Sequence, residues 1–541
     1  MTAAAVEREV KLAAWAGMAL PDLEGVLPGF SVTPLLSQRL LATYYDTADL
    51  RLARWGVTVR HRSGETPGGA NAGPESPWTV KLPADGSPEG GLARSEVTFS
   101  GAEGRVPAPV VQLVRGLARS AALGPVARLR TDRLRLELRD GDGTAVAEID
   151  DDEVSVLVGR RLATRFREIE VELAGDSGPE VLAAVVARLR AAGAGAPDPT
   201  PKLIRALGPR ALEPPDVAVH RVGEGATVGD VVKAAIGAAA VRLIRHDPGV
   251  RLGDDAEDVH QARVATRRLR SDLRTFHDFL DEEWAGELRT ELGWVAALLG
   301  EVRDADVLLE RLRAQSATLA DADAKPAAGL LRRLEDQREL GRQALLVAID
   351  SPRYTRLLDA LVDAAANPVF AGPAERPPAL DASAGADEPP PEPATSPREA
   401  PEDQPAAAAL PALVRRPWRH LQRAVADLGA DPADAALHEV RIRAKRCRYA
   451  AEAAAPAVGK PATRFAVAVA ELQGVLGDFH DAIVAEDWLR QAAARGSAAQ
   501  ALVAGQLIAV ERADAAVGRI AWKPAWKEAS AKKLRAWLDS P

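Results

Sequence analysis

Close to its N-terminus the chain reads Val6-Glu7-Arg8-Glu9-Val10-Lys11-Leu12, a stretch in which charged residues recur at every second position. Successive side chains of a β-strand point to opposite faces, so an extended backbone places Glu7, Glu9 and Lys11 on one face. The opposite face includes the apolar residues Val10 and Leu12. The stretch therefore predicts a strand with one charged face.

Short segments of the same kind continue to about residue 173 and are separated by turns rich in Gly, Pro and Asp. Period-two patterning between such turns predicts a β domain. The predicted strands are 6–12, 57–62, 78–82, 95–99, 127–138, 145–149 and 165–173. Helical spacing of apolar residues adds one helix over 179–192.

Charged faces recur along these strands: Arg60 with Arg62, Glu148 with Asp150, and Glu168 with Glu170. A solvated outer face is the ordinary interpretation of one such strand. Because positions on the opposite faces, such as Arg8 and His61, are polar too, a closed barrel with a charged lumen accommodates the whole set better. Grouped carboxylates hold hard divalent cations, and Lys and Arg neutralise phosphate oxygens. Such a lumen would suit a metal-chelated polyanion.

Composition narrows the classes of function. The chain has 541 residues, more than a single core usually supports, so two or more domains are expected. The net charge of -8 and the aromatic content of 4% argue against a nucleic-acid partner. Cys447 is the one cysteine, which excludes an intrachain disulfide and favours a reducing compartment. No apolar run reaches the roughly 18 residues of a membrane helix, so we expect a cytoplasmic protein without a membrane partner.

From residue 228 onward the pattern changes to long segments rich in Ala, Leu and Arg with helical periodicity. A proline-rich stretch at 193–215 separates this part from the β domain. A second one, at 368–411, divides the helical part, and its composition cannot bury enough apolar surface to order the chain. We therefore predict a disordered insertion between two helical halves.

The two helical halves carry the same pair of motifs. The first motif is His260-Gln-Ala-Arg263-Val-Ala-Thr-Arg267-Arg268-Leu-Arg270, which aligns without a gap on His438-Glu-Val-Arg441-Ile-Arg-Ala-Lys445-Arg446-Cys-Arg448. About forty residues later, Leu299-Gly-Glu-Val-Arg303-Asp304 corresponds to Leu476-Gly-Asp-Phe-His480-Asp481. Two matched motifs at nearly matched separation indicate an internal repeat.

Each copy of the first motif forms a basic stripe when it is placed on a helix. At 100° per residue, the residues His260, Arg263, Arg267, Arg270 and Arg274 fall within an arc of about 80°. The second stripe consists of His438, Arg441, Lys445 and Arg448. A solvated face is the ordinary interpretation of one such helix, but two stripes with few acids favour a polyanionic ligand. The spacing His-x-x-Arg lacks the ligand set of a zinc site.

The motifs of the β half together resemble the CYTH domain of the triphosphate tunnel metalloenzymes. In chain order they are Glu7-x-Glu9-x-Lys11, Tyr44-Tyr45-Asp46-Thr47, Arg60-His61-Arg62, Trp78-Thr79-Val80-Lys81, Thr131-Asp132-Arg133 and Phe166-Arg167-Glu168-Ile169-Glu170. The resemblance covers residues 1–210. It implies a closed antiparallel β-barrel, an eight-stranded tunnel, that cleaves a triphosphate with Mg2+ or Mn2+.

The resemblance also implies roles for individual residues. Its catalytic residues would be Glu7, Glu9 and Lys11. Its metal ligands would be Glu7, Glu9, Glu148, Asp150, Glu168 and Glu170, and its substrate-binding residues would be Lys11, Arg60, Arg62, Lys81, Arg133 and Lys202. None of these is an obvious nucleophile, so the implied chemistry is metal-assisted attack by water.

The helical half resembles the CHAD domain over residues 225–535, on the strength of both repeated motifs. This resemblance implies two pseudo-repeated four-helix bundles around a basic pore that binds inorganic polyphosphate. The implied polyphosphate-binding residues are His260, Arg263, Arg267, Arg270, Arg274, Arg303, His438, Arg441, Lys445, Arg448 and His480. The expected fold class is thus multidomain α+β, with an all-α C-terminal domain.

Both domains point to the same class of anion. The expected function is metal-dependent hydrolysis of inorganic triphosphate or polyphosphate in the tunnel, with polyphosphate bound by the helical domain. Three alternatives stay open: a thiamine triphosphatase, a class IV adenylyl cyclase, and a non-enzymatic protein that targets polyphosphate granules. The low aromatic content disfavours the first two, and the Glu-x-Glu pairs disfavour the third.

Overall fold

The computed structural model describes residues 5–63, 77–84, 92–175, 177–217, 219–372 and 400–539. The chain divides into two compact units, Met1–Asp216 and Val217–Pro541, which we call the β unit and the helical unit. Among the helices of these ranges, none combines the length and the apolar character needed to cross a bilayer.

The described residues of the β unit form nine antiparallel strands. They are β1 (Ala5–Ala14), β2 (Ser31–Pro34), β3 (Gln38–Asp46), β4 (Thr58–Ser63), β5 (Pro77–Pro83), β6 (Leu92–Ser100), β7 (Gly124–Arg139), β8 (Ala145–Val158) and β9 (Arg161–Leu173). All seven predicted strands are confirmed. The sequence missed β2, which has four residues, and β3, in which Leu40 and Leu41 interrupt the alternation of apolar and polar residues.

Five short helices complete the β unit: α1 (Arg51–Arg54), α2 (Ala108–Leu113), α3 (Arg115–Ala118), α4 (Pro179–Ala191) and α5 (Lys202–Leu207). The predicted helix over 179–192 is α4. A 3-10 turn follows α5 at Pro209–Leu212. Of these elements, α5 bears most directly on function, because its first residue, Lys202, faces the cavity described below.

The strands pair in the order β2-β7-β3-β4-β5-β6-β1-β9-β8. A further ladder joins β7 to β8, so the sheet curves around one cavity. This cavity is open to solvent: the side chains of Lys81 and Glu96, which line it, keep 14% and 22% of their exposure. The unit is therefore an open antiparallel half-barrel. The prediction of a closed barrel is wrong in this respect, since the cavity stays open to solvent beside Lys81 and Glu96.

The outer face of the half-barrel supplies the apolar core of the β unit. Val10 and Leu12 of β1 are buried with Ile149 of β8, Ile169 of β9 and the apolar side of α4. Burying side chains of this size stabilises the fold by about 1.5–3 kcal/mol each. Since alternate residues occupy opposite faces, this packing turns the charged residues of the same strands toward the cavity.

Asp46 holds the turn between β3 and α1. Its side chain is 1% exposed and accepts hydrogen bonds from the backbone N–H groups of Leu52 and Ala53, each at 2.9 Å. A third backbone N–H, that of Thr47, donates to the same carboxylate at 2.6 Å. The motif at 44–47 thus combines a residue of the cavity, Tyr44, with a carboxylate that fixes the following turn.

We expect the substitution Asp46→Ala to lower the free energy of unfolding by about 1–3 kcal/mol, because it leaves buried N–H groups without an acceptor. Urea unfolding followed by circular dichroism measures this loss. Asp46→Asn is the matched control, since its amide oxygen can still accept, and it should cost less. Equal stability of the alanine variant and the wild type would contradict the assigned role.

In the ranges that the structure describes, the helical unit has ten helices. They are α6 (Val228–Leu252), α7 (Ala256–Thr275), α8 (Glu282–Ser316), α9 (Ala324–Ile349), α10 (Pro352–Ala366), α11 (Ala406–Ala426), α12 (Asp434–Val458), α13 (Lys460–Ala494), α14 (Ala498–Ala529) and α15 (Lys532–Arg535). Capping boxes start two of them, Thr227 with Asp230 at α6 and Ser497 with Gln500 at α14.

Successive long helices of this unit pack on one another. Contacts join α6 to α7, α7 to α8 and α8 to α9, and they join α11 to α12, α12 to α13 and α13 to α14. The helices that carry the second motif, α8 and α13, have 35 residues each. Contacts also join α7 to α12 and α9 to α14. The arrangement as two repeated four-helix bundles stays a prediction.

The predicted disordered insertion at 368–411 is too long. Phe370 forms a bridge with Leu280, and the Ala371 N–H donates to the carbonyl of Phe279. At the other end, α11 already begins at Ala406, whose N–H donates to the carbonyl of Ala226. Proline content misled the prediction, because Pro405 immediately precedes the helix and Pro411 is accommodated within it. The remainder of the predicted insertion, 373–399, lies outside the described residues.

Candidate functional site

The inner face of the half-barrel encloses a cavity of about 230 Å³. Side chains of both charges line it: Glu9, Lys11, Tyr44, Thr58, Arg60, Arg62, Lys81, Arg94, Glu96, Arg133, Asp150, Glu170, Glu172 and Lys202. We call this space the β cavity. Its wall is made almost wholly of charged and polar groups, which is unusual for a protein interior and indicates an ionic ligand.

Glu170 is the carboxylate on which most cations of the β cavity converge. Lys11 pairs with it, Lys202 Nζ lies 2.8 Å from its Oε2, and Arg133 donates to it at 3.0 Å. Burial raises the pKa of Glu170, but the charges of Lys11, Lys202 and Arg133 outweigh burial and hold it well below its usual value. Glu170 is therefore ionised in the folded protein.

Asp152 forms a second anchor beneath the β cavity. It is completely buried, accepts two hydrogen bonds of 2.7 Å from Arg133, and lies 2.8 Å from Lys202 Nζ. Burial lowers the pKa of Lys202, yet the carboxylates of Asp152 and Glu170 raise it well above its usual value. Arg133 and Lys202 are thereby held in fixed positions at the carboxylate end of the cavity.

Cations predominate at the other end of the β cavity. Lys81 Nζ and Arg60 Nη2 lie 3.0 Å and 3.7 Å from the same Glu96 oxygen. Burial, followed by the charges of Arg60 and Arg133, lowers the pKa of Arg62 to about 9. A guanidinium with so low a pKa marks a place where positive charge is crowded. An anion bound there would relieve the repulsion.

The two basic stripes of the helical unit also come together. Lys445 of α12 lies among Arg441 and Arg448 of its own helix and Arg263 and Arg267 of α7. Burial and these four charges lower the pKa of Lys445 to about 7. The Tyr449 ring supports both stripes, with the Arg448 and Arg267 guanidinium carbons 4.7 Å and 5.6 Å from its centroid. The stripes are therefore one cationic cluster rather than two separate solvated faces.

The second repeated motif places small residues against the arginines of the first. Arg263 Nη1 donates to the Gly300 carbonyl at 3.1 Å and to Asp304 at 2.6 Å. A Cβ added at Gly300 would lie 3.8 Å from the Arg263 guanidinium carbon, and one added at Gly477 would lie 3.7 Å from Arg441 Nε. These are ordinary van der Waals distances. The glycine of each second motif therefore lies directly against an arginine of the first motif.

A pair of histidines lies beside the second stripe. His438 Nδ1 and His480 Nδ1 are 3.2 Å apart. Burial, then the charges of His438 and Arg441, lower the pKa of His480 to about 4. Because His480 is neutral at neutral pH, one of the two facing nitrogens can donate while the other accepts.

Comparison with known proteins assigns both units. Residues 5–197 match the CYTH domain and residues 234–490 match the CHAD domain. Uncharacterized proteins of two strains of Mycobacterium tuberculosis are 30% identical to this chain over 523 residues, which cover 92% of it and 90% of each relative. The chain belongs to the family of CYTH–CHAD proteins.

Solved structures resemble parts of this CYTH–CHAD protein. PptA from Streptomyces chartreusis is 26% identical and aligns over 56% of this chain and 100% of its own, with a TM-score of 0.42. The CHAD domain of Ricinus communis is 24% identical over 60% of this chain and 96% of its own, with a TM-score of 0.40. HpAC1 from Hippeastrum, described as having a dominant triphosphatase activity, reaches 17% identity over 38% and 98% of the two chains, with a TM-score of 0.22.

The CYTH domain brings most of the predicted site residues into the β cavity: Glu9, Lys11, Arg60, Arg62, Lys81, Arg133, Asp150, Glu170 and Lys202. Two predicted ligands lie elsewhere. Glu148 is paired with Arg135. Glu168 is fully buried and does not line the cavity, but it lies 2.9 Å from Lys202 Nζ, which does. The side chain of Glu7 lies outside the described part of the structure.

Several residues in or beneath the β cavity were not predicted as site residues from the sequence. Arg94 and Glu96 share one face of β6. The alternating pattern does place Glu172 on the charged face of β9 with Glu168 and Glu170, but it does not assign Glu172 a role in the site. Asp152 likewise continues the series of Glu148 and Asp150 on β8. The period-two pattern marks the strand face on which each of these four side chains lies, but not how deeply it is buried.

The carboxylates of the β cavity suit a hard divalent cation. Glu9, Asp150 and Glu170 line the same space, and Asp150 Oδ1 is buried without a hydrogen-bond partner among the described atoms. Burial and the negative charges of Glu148 and Asp152 raise the pKa of Asp150 to about 8, because together they outweigh the opposing effect of the Arg133 charge. No three acidic or histidine side chains of the described ranges already form a ligand set. Even so, oxygen donors under mutual repulsion fit Mg2+ or Mn2+.

In the CHAD domain, the predicted residues fall into two neighbourhoods. His260 lies near Arg303, Arg267 and Arg263, whose charges add to burial in lowering its pKa. Arg274, at the far end of the first stripe, instead lies near Arg289, Arg446 and Arg270, and burial with these charges lowers its pKa. The basic surface therefore extends beyond the predicted cluster at Lys445.

Proposed function

We propose that the β cavity binds and hydrolyses inorganic triphosphate or polyphosphate with the help of Mg2+ or Mn2+. The observation that carries this proposal is the division of the lining of one small cavity between carboxylates on β1, β8 and β9 and crowded cations on β4 and β5. CYTH domains are often triphosphate tunnel enzymes, and this division is the pattern that a metal-chelated triphosphate requires. The ladder between β7 and β8 also supports this function, because it brings Arg133 of β7 beside Asp152 of β8.

Each end of the β cavity has its own part in the proposed mechanism. Arg60, Arg62 and Lys81 bind and orient the phosphate chain, and the excess positive charge stabilises charge that develops during transfer. Glu9, Asp150 and Glu170 would hold the cation, which neutralises phosphate oxygens and assists attack by water. Lys11 and Lys202 keep the carboxylates in place. Glu7, Glu148 and Glu168 stay candidate ligands from the resemblance.

Two of the alternative functions require a substrate in which an organic group with an aromatic base is attached to the triphosphate. A thiamine triphosphatase or a class IV adenylyl cyclase needs a wall that receives an aromatic base. The described lining of the β cavity offers Tyr44, Pro201 and Leu203 in an otherwise charged or polar wall. This composition favours a substrate without a base. A non-enzymatic protein that targets polyphosphate granules would bind the same anion without cleaving it.

Release of inorganic phosphate separates these functions. We expect the full chain with Mg2+ or Mn2+ to hydrolyse tripolyphosphate faster than ATP or thiamine triphosphate. A preference for ATP or thiamine triphosphate would replace the proposed substrate by that alternative. Tight tripolyphosphate binding without any phosphate release would establish the granule-targeting function instead.

We also propose that the CHAD domain binds inorganic polyphosphate through the cationic cluster around Lys445. Five cations from two helices share one place, and no ion pair of Arg267, Arg441 or Lys445 is formed within the part of the chain that the structure describes. A polyanion would supply the missing negative charge. His260, Arg270, Arg303, His438 and His480 extend this surface as further candidate contacts. A cytoplasmic location stays a prediction.

Polyphosphate affinity is expected to rise as the pH falls from about 8 to about 6. The free protein holds the pKa of Lys445 near 7, and a bound polyanion favours the protonated amine, so binding takes up a proton in this range. Isothermal titration in two buffers of different ionisation enthalpy measures the uptake. Lys445→Arg is the matched control, because a guanidinium stays charged; an unchanged pH dependence in this variant would exclude Lys445 as the source.

A further inference from the structure

A second and larger cavity, of about 830 Å³, lies among α7, α8, α11 and α12 of the helical unit. One wall is cationic and consists of Arg274, Arg289, Arg416, Arg443 and Arg446. A second wall is apolar and consists of Leu273, Leu280, Ala285, Leu413 and Pro417, with the Tyr449 ring nearby. We call this space the amphipathic cavity, because it presents charge and apolar surface to the same volume.

The cationic wall lacks matching negative charge. Arg443 pairs with Glu439 at 2.5 Å, but Arg274, Arg289, Arg416 and Arg446 form no ion pair among the described residues. Three acids, Asp278, Asp281 and Glu282, line the same cavity as the five arginines. The lining therefore carries an excess of positive charge. Arg274, Arg416 and Arg446 are solvent-exposed and Arg289 is half-buried. All four line the cavity, so an anion bound there would be attracted by each of them.

The apolar wall distinguishes this place from the cluster at Lys445. Leu273, Leu280 and Ala285 are buried in the fold and still contribute surface to the cavity. An inorganic phosphate chain would leave that surface against water, whereas a ligand with an apolar body would cover it. Arg267 and Lys445, the centre of the polyphosphate cluster, do not line the amphipathic cavity. The two sites share the stripe of α7 but not their main residues.

We propose that the amphipathic cavity binds a small organic anion, in which a phosphate or sulfonate group is attached to an apolar or aromatic body. The anionic group lies against Arg289 and Arg446, and the body lies against Leu273, Leu280 and Leu413. Its volume falls within the range of small-molecule sites, about 300–1,000 Å³. This site is separate from the proposed phosphate hydrolysis and from the proposed polyphosphate binding.

The test compares 1-naphthyl phosphate with inorganic phosphate by isothermal titration of the full chain. Both probes carry the same anionic group, but only the first has a body for the apolar wall. We expect 1-naphthyl phosphate to bind at least about tenfold more tightly, because its ring surface leaves water. Equal affinities for the two probes, or no binding of 1-naphthyl phosphate, would overturn the proposal.

Variants locate the binding. Arg289→Gln combined with Arg446→Gln should lower the affinity for 1-naphthyl phosphate at least about tenfold. Leu413→Ser should also lower this affinity but leave the affinity for inorganic phosphate unchanged. The double variant Arg267→Ala, Lys445→Ala and the single variant Arg332→Gln should both bind as the wild type does. Thermal unfolding checks that each variant is folded. If the double arginine variant does not fold, Arg416→Gln tests the same loss of 1-naphthyl phosphate binding. Loss of binding in the Lys445 variant, or retention in the arginine variants, contradicts the proposed site.

Discussion

Replacing Glu170 by Gln is expected to lower the rate of phosphate release from tripolyphosphate by at least about 100-fold, the size of effect seen when one preorganised charge is removed from an active site. The substitution removes the negative charge on which Lys11, Lys202 and Arg133 converge. It also removes one of the oxygens proposed to hold the cation. Initial rates of phosphate release in excess Mg2+ measure the loss.

The Glu170 variant is also expected to unfold more easily, by about 3–5 kcal/mol, because breaking a buried charge cluster leaves its cations uncompensated. Two further variants separate this cost from the loss of activity. Glu153→Gln changes an exposed residue of β8, with a side chain 57% accessible, and should alter neither property. Arg62→Gln removes a crowded cation, so the unfolding midpoint of this variant should not fall. Its rate of phosphate release should fall, because a proposed phosphate contact is lost. Full activity of Arg62→Gln would contradict the proposed phosphate contact.

The second large effect concerns polyphosphate binding. Arg267→Ala combined with Lys445→Ala should lower the affinity for long-chain polyphosphate by at least about tenfold, since each lost charged hydrogen bond costs about 1.5–3 kcal/mol. Binding should also become less sensitive to salt. The slope of log affinity against log salt should fall by about 1 to 2, by analogy with phosphate contacts on nucleic acids.

A matched control for this pair is Arg332→Ala, which removes an exposed arginine of α9 away from the cluster. The sequence alone would suggest Arg443 as an off-stripe control, but the structure places it in the amphipathic cavity. Titration across a salt series, with unfolding midpoints in parallel, compares the variants. An unchanged affinity and slope in the double variant would mean that the stripes are ordinary solvated faces.

Much of the candidate site could be predicted because strand geometry fixes which residues share a face. Once Glu9 and Lys11 are placed on β1, alternation alone brings them to the same side, and the strands that pair with β1 bring Glu170 beside them. Helix periodicity did the same for the two stripes. Local geometry could not show that Asp152 lies beneath the cavity, since that depends on how β7, β8 and α5 meet.

The remaining differences arise from contacts between residues that are distant in the chain. Openness of the half-barrel and order at 400–411 both depend on tertiary packing that local composition does not record. The amphipathic cavity escaped prediction for the same reason, because α7, α8, α11 and α12 each contribute only a few of its residues. Its arginines are scattered over 274–446, so no single motif marks them.

Phosphate release from tripolyphosphate by the full chain, before and after removal of divalent cations with EDTA, tests the central claim most directly. The proposed chemistry predicts that EDTA stops the release and that added Mg2+ or Mn2+ restores it in the wild type but not in Glu170→Gln. Release that continues at the same rate in EDTA, or that Glu170→Gln supports as well as the wild type, would contradict metal-assisted hydrolysis in the β cavity.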